Sequence, residues 1–320
     1  MDPLVKSAQT ALSVCLGLKS NERLLIITDP DKQAIGQAFF KAGQEATDQV
    51  LLTQIPEAEV NGQEPPRDIA DLMLKYDVIV CPTSKSLTHT NARRNACKVG
   101  ARVATMPNIS EDIMIRTLNA DYQQIAERTK RIAAILEEGK MARITTPLGT
   151  DLHMPINGIK AIASTGLLLE KGQGGNLPSG EAFLMPEEGG TEGVLVADAS
   201  VAAIGKLSKP IKITIKEGFA VKMEGSRQAD QLFTMLTRFG RDGLNVAELG
   251  IGTNHAAKIT GIILEDEKVL GTAHVAFGNN ISMGGTYDVG IHIDCVFTKP
   301  SVYIDEKPLM LEGNLVVDIH

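Results

Sequence analysis

Apolar runs of six or seven residues recur through the first 140 positions: RLLIIT at 23–28, QVLLTQI at 49–55, DVIVCPT at 77–83 and ARVATMP at 101–107. They are rich in β-branched residues and short enough to be strands. Between them, residues 31–46, 66–75 and 88–99 place apolar side chains at helical spacing. Strands separated by helices of this length predict crossover units and a mainly parallel sheet. A longer helix is expected at about 121–138, where Tyr122, Ile125, Ile132 and Leu136 share one face and Gly139 supplies a stop.

Beyond ARITTPLGTDLHMPI (142–156) the period changes from 3.6 to 2. IKITIKEG (211–218), KVLGTAHVAFG (268–278), VGIHIDCVF (289–297) and SVYID (301–305) alternate, and glycine turns recur among them. One helix interrupts them: Ser226 caps it, Ala229, Leu232, Phe233 and Leu236 form its inner face, and Gly240 ends it. A boundary near Lys140 is expected. It divides an α/β N-terminal domain (1–140), built on a mainly parallel sheet, from a β-rich (α+β) C-terminal domain (141–320). No internal repeat is evident.

Composition narrows the function classes. A net charge of −7 lacks the basic surface that a nucleic-acid partner requires. The Arg128–Arg131 stretch reads as a solvated helix face. Cys15, Cys81, Cys97 and Cys295 are scattered, form no CxxC pair and are expected to be buried free thiols of a reducing compartment. No apolar run approaches the roughly 18 residues of a membrane span, and MDPLVKSAQT has no basic region followed by an apolar core. A soluble, cytoplasmic protein with no membrane partner is expected.

Candidate chemistry sits in the second half. In IHIDCV (291–296), Ile291, Ile293 and Cys295 alternate with His292, Asp294 and Val296. Residues two apart on a strand share a face, with Cα atoms about 6.5–7 Å apart. An imidazole and a carboxylate can thus converge on one cation; the bland alternative is a solvent-facing strand. In GTAHVAFG (271–278), His274 shares its face with the small Thr272 and Ala276, whereas Ala273, Val275 and Phe277 form the other. The space above such a histidine suits a ligand, and the alternative is a core histidine bonded to a carbonyl. Glu181 follows GGNLPSG and Glu248 precedes LGIGTN, so both are expected in glycine-rich turns, as ligands or as exposed turn residues. Glu181, Glu248, His274, His292 and Asp294 together suit one or two borderline divalent ions such as zinc, manganese, cobalt or iron(II), and suit calcium poorly.

NLPSGEAFLMP (176–186), AELGIGTNHA (247–256), EDEKVLGTAHVAFG (265–278) and IHIDCV (291–296) occur in that order. In these segments the sequence resembles the aminopeptidase T/aminopeptidase S family of metallopeptidases, and more loosely so through SLTHTNARRNACKVGARVATMP (86–107). The resemblance implies two divalent metals bound by Glu181, Glu248, His274, His292 and Asp294. It also implies a homodimer. The family's metal-site tyrosine falls on Ile281, with Tyr287 nearby, and His255 stands where many relatives have proline.

The implied reaction is release of N-terminal residues from short peptides by a metal-bound water, with Glu181 or Glu248 moving its proton. Two alternatives remain. The superfamily also resembles iron(II) dioxygenases that open dihydroxypyridine rings, in which His292 and Asp294 with His255 or His274 would form a facial triad. A binding protein that kept the ligands without turnover is the other. Thr88 or Thr90 is expected to cap the helix carrying Arg93 and Arg94, either of which could instead bind a substrate carboxylate.

Overall fold

The computed structural model describes residues 2–317. Contacts divide the chain into two units that interleave in sequence. The first runs to Gln123 and takes Gly166–Ser179; the second takes Gln124–Thr165 and the chain from Gly180 onward. The chain therefore passes between units three times, rather than once near Lys140.

The first unit is α/β. Its five-stranded sheet is parallel throughout, in the order Val50–Gln54, Leu24–Thr28, Val78–Thr83, Arg102–Pro107, Gly174–Asn176. Leu24–Thr28 and Val78–Thr83 are buried at every position, as expected of strands covered on both faces. The crossover helices Gln33–Ala46, Arg67–Met73 and Asn91–Lys98 fall where their periodicity placed them. Thr90 caps the last of these, its hydroxyl accepting from Arg93 N, and the Arg93 guanidinium donates to Thr88 O at 2.8 Å. The fifth strand, GGN, escaped detection because glycine carries no hydrophobic period. Gly174 is small for a reason: a Cβ there would lie 2.9 Å from both Arg93 Nη1 and Cys97 Sγ.

The second unit is β-rich, with two antiparallel sheets of eight and seven strands. The larger contains the hairpin of Met141–Thr145 with Asp151–Pro155 and that of Ile211–Lys216 with Phe219–Glu224. The latter turns at Glu217 and Gly218, both at positive φ. The smaller sheet runs Gly205–Lys206, Ser200–Val201, His292–Thr298, Thr272–Gly278, Val246–Gly252, Glu181–Leu184, Ile162–Ser164. One continuous core joins Ile144, Leu152, Leu195 and Ile213 of the first sheet to Leu184, Leu249, Val275 and Phe297 of the second. Ile132 and Leu136 of the helix Tyr122–Glu138 belong to the same core. No helix among the described residues is long and apolar enough to cross a membrane. All four cysteines are free thiols, three of them buried and Cys97 partly so.

Two helix faces differ from expectation. Ser226 caps Arg227–Thr237 and Ala229, Leu232 and Leu236 are buried, but Phe233 is 38% exposed. It lies one position past Leu232, about 100° around the helix, and so faces outward. Arg128 is no solvated residue: it is 8% exposed and its Nη1 donates to Thr253 O at 2.8 Å. Leu232→Ala should cost about 2–5 kcal/mol by leaving a cavity, and Phe233→Ala no more than about 1 kcal/mol. Urea unfolding midpoints check this, with equal losses counting against the helix orientation.

Candidate metal centre

The site is built by alternation on four neighbouring antiparallel strands. Ala182, Leu184, Leu249, Ile251, Ala273, Val275, Phe277, Ile293, Cys295 and Phe297 enter the core. The intervening residues, Glu181, Glu248, Gly250, His274, Ala276, His292 and Asp294, share the opposite face. One residue needs help to reach it. Val246 pairs with core-facing Phe277 while Glu248 pairs with Ala276, and the register shifts between them. That β-bulge turns Glu248 onto the face from which a regular strand would exclude it.

Small residues stand across from the functional ones. Glu181 pairs with Gly252, Glu248 and Asp294 both pair with Ala276, His274 pairs with Gly250, and His292 pairs with Gly278. The most constrained is Gly250, where a Cβ would lie 2.0 Å from His274 Nε2. Glycines 250 and 252 are therefore strand residues that admit an imidazole and the Val269 carbonyl, not turn residues. Glu181 and Glu248 correspondingly lie on strands rather than in turns, and both are buried.

Two groups result, with Glu248 common to both: Glu181, Glu248 and His274, and Glu248, His292 and Asp294. His274 Nε2 lies 3.2 Å from Glu248 Oε1 and 3.6 Å from Glu181 Oε2. His292 Nε2 lies 3.4 Å from Glu248 Oε2 and 3.5 Å from Asp294 Oδ1. Ligand atoms bonded to one ion at about 2.0–2.2 Å stand roughly 3.0–3.5 Å apart, so the spacing fits a cation. His292 Nδ1 lies 2.8 Å from Asn279 O. A carbonyl only accepts, so Nδ1 carries a proton in either charge state, and it is the Nε2 position, facing the carboxylates, that exchanges its proton for an ion. His274 Nδ1 is buried and unpaired among the described residues. His292 is the least buried of the five, with 31% of its side chain exposed.

Pattern reading missed Lys268 and Glu267. Lys268 is 1% exposed; its Nζ lies 2.8 Å from Glu181 Oε1 and also contacts Glu267 Oε1. The available signal was the pair Glu267–Lys268 directly before an apolar run, since charges drawn into a core need partners. Burial pulls the Lys268 ammonium down, but Glu181 and Glu267 outweigh it and hold the pKa above its usual range. Burial pushes the Glu267 carboxyl up to about 8. Burial opposes charge on the imidazoles too, yet Glu248, Glu181 and Asp294 raise His274 to about 9, and Asp294 and Glu248 hold His292 well above its ordinary value. Burial opposes charge on Asp294 and Glu248 as well, and the histidines nonetheless hold both carboxyls low. Without a metal the pocket recruits protons to balance its carboxylates. A divalent ion would replace them.

His255 is exposed and joins neither group. Ile281 is 46% exposed in a short turn, and the Tyr287 ring packs edge-on against Phe219 at 5.9 Å between centroids. Neither Ile281 nor Tyr287 belongs to the two groups.

The sequence profile of the 2,5-dihydroxypyridine 5,6-dioxygenase family matches residues 3–317. A curated relative, the 2,5-dihydroxypyridine 5,6-dioxygenase of Pseudomonas putida, is 24% identical over 248 residues, covering 72% of this chain and 69% of its own. The solved structure of a 2,5-dihydroxypyridine dioxygenase from Pseudomonas putida superposes with a TM-score of 0.85 at 18% identity, covering 98% of this chain and 97% of that one. Wild-type AmpT from Thermus thermophilus superposes with a TM-score of 0.71 at 16% identity, covering 98% and 99%. At these identities both structures share the fold with this chain.

These findings overturn the aminopeptidase expectation. The matching profile and the curated relative are dioxygenases, which are oxidoreductases, so hydrolase, peptidase and protease are the wrong class. The motifs behind that expectation are the cation cluster itself. Such a cluster constrains which ions fit, not which reaction follows. The proton-shuttle role expected of Glu181 and Glu248 falls with the reaction, and Glu181 Oε1 is already engaged by Lys268.

Two outcomes test this electrostatic picture. A folded-state pKa raised from 6.5 to about 9 at His274 gives stability that is present below about pH 6.5 and lost as pH rises through 9. The raised Glu267 carboxyl acts in the same direction. Metal-free protein should lose melting temperature from pH 6.5 to 9, and manganese-loaded protein should lose less; identical slopes would contradict the proton–metal exchange. Gly250→Ala should displace the His274 ring and weaken manganese binding roughly 10- to 100-fold, read by calorimetry with far-ultraviolet dichroism as the fold control.

Proposed function

Because the chain belongs to the 2,5-dihydroxypyridine 5,6-dioxygenase family, we propose that it is an iron(II)-dependent dioxygenase that opens the ring of a dihydroxylated pyridine. The observation that carries the site assignment is the triangle of His292 Nε2, Asp294 Oδ1 and Glu248 Oε2, whose edges at His292 measure 3.5 and 3.4 Å. We assign these three residues to hold the ion, with His274 joined to them through Glu248 Oε1. An imidazole with carboxylates suits iron(II). Bound iron(II) would supply a one-electron route to dioxygen and a Lewis-acid seat for a substrate oxygen. Ring cleavage of this kind needs no external reductant, since both atoms of dioxygen end in the opened product.

The protein's own part is placement. Asn279 O fixes the His292 tautomer and ring plane, so that Nε2 is ready before an ion arrives. Glu248, with its two oxygens directed to the two imidazoles, holds them at a set separation. The sheet behind them is packed core, which limits movement of the ligand set. Exposure at His292 gives the face through which a small ring can approach.

Protein loaded with iron(II) without oxygen should consume one dioxygen per 2,5-dihydroxypyridine opened when oxygen is admitted. His292→Ala and Asp294→Ala should each lower kcat/KM by more than the roughly 10- to 100-fold that losing an outer partner costs, and should release iron. Absence of oxygen uptake by iron-loaded protein with dihydroxypyridines would refute the proposal, as would metal-dependent cleavage of aminoacyl substrates.

A further inference from the structure

Two groups of potential ligands share Glu248, so the donor atoms alone would admit two ions. The groups differ in one respect. Lys268 reaches into the first, with Nζ 2.8 Å from Glu181 Oε1, and nothing equivalent touches His292 or Asp294 among the described ion pairs. The lysine is 1% exposed, its ammonium also contacts Glu267, and the strand following it carries His274. An ammonium so deeply buried persists only beside carboxylates that offset its lost hydration.

We infer that Lys268 confines the centre to a single divalent ion, its ammonium occupying the charge position that a second ion would otherwise take. An ion held by Glu181, Glu248 and His274 would have to use Glu181 Oε2, which faces His274 Nε2 at 3.6 Å. The ammonium would then sit on the other oxygen of the same carboxylate. Two cations on one buried carboxylate repel strongly, because little water intervenes. The group of Glu248, His292 and Asp294 carries no such penalty and takes the ion. Glu181 is then a positioning residue, anchored to Lys268 and holding the His274 side of Glu248. This rests on the one-ion centre proposed above and adds the residue that enforces it.

The test counts metal. Wild type, Lys268→Met, Lys268→Gln and Lys268→Arg are loaded with manganese(II), dialysed, and read by elemental analysis and electron paramagnetic resonance. Wild type and Lys268→Arg should retain one ion per chain, with any second ion bound roughly a hundredfold more weakly or worse. Lys268→Met and Lys268→Gln should retain two, and their spectra should show an exchange-coupled pair. Gln keeps a donor for Glu181 without the charge, so it serves where Met perturbs the fold. One ion in wild type and one in both folded neutral variants would overturn the role of Lys268 and leave the one-ion centre intact. Two tightly held ions in wild type would overturn the one-ion centre itself.

Discussion

Glu248 is the point on which the rest of the site turns. Its carboxylate spans the two imidazoles, Oε1 to His274 at 3.2 Å and Oε2 to His292 at 3.4 Å. It reaches them only because a bulge after Val246 reverses the face of the strand. Without that irregularity the side chain would fall on the core side, where Leu249 and Ile251 pack. A buried carboxylate there, with no partner, would cost more than a single strand distortion. The bulge and the imidazoles therefore require each other.

From this constraint the surroundings follow. Carboxylates and imidazoles brought together on a sheet face need room, and the residues opposite them are glycine or alanine at positions 250, 252, 276 and 278. They need charge balance, and Lys268 supplies part of it from within the protein. They need fixed orientation, and the Asn279 carbonyl supplies it for His292. The opposite side of every contributing strand is core, so these side chains are set on rigid elements rather than on loops.

Much of this was legible in the sequence. Period-two alternation placed His274 and the His292–Asp294 pair on their faces, and the small neighbours of His274 marked the space above it. The helix periods and β-branched runs gave four of the five parallel strands. What stayed hidden has definite physical causes. A bulge leaves no hydrophobic signature, so Glu248 read as a turn residue. Glycine within a strand looks like a turn, which disguised Gly174–Asn176, Gly250 and Gly252. Lys268 went unremarked because one of its two partners, Glu181, comes from a distant segment and only Glu267 adjoins it. Chain interleaving between the two units leaves no compositional mark either. The chemistry was least legible, since AmpT and a dihydroxypyridine dioxygenase both share this fold.

The proposed function requires one face of an antiparallel sheet to gather a single ion between Glu248, His292 and Asp294. Anomalous diffraction at the iron edge, from crystals loaded with iron(II) under exclusion of oxygen, would locate that ion. One peak per chain is expected, about 2.0–2.3 Å from His292 Nε2 and from the Asp294 and Glu248 oxygens. Two peaks straddling Glu248, or a single peak between Glu181 and His274, would contradict it.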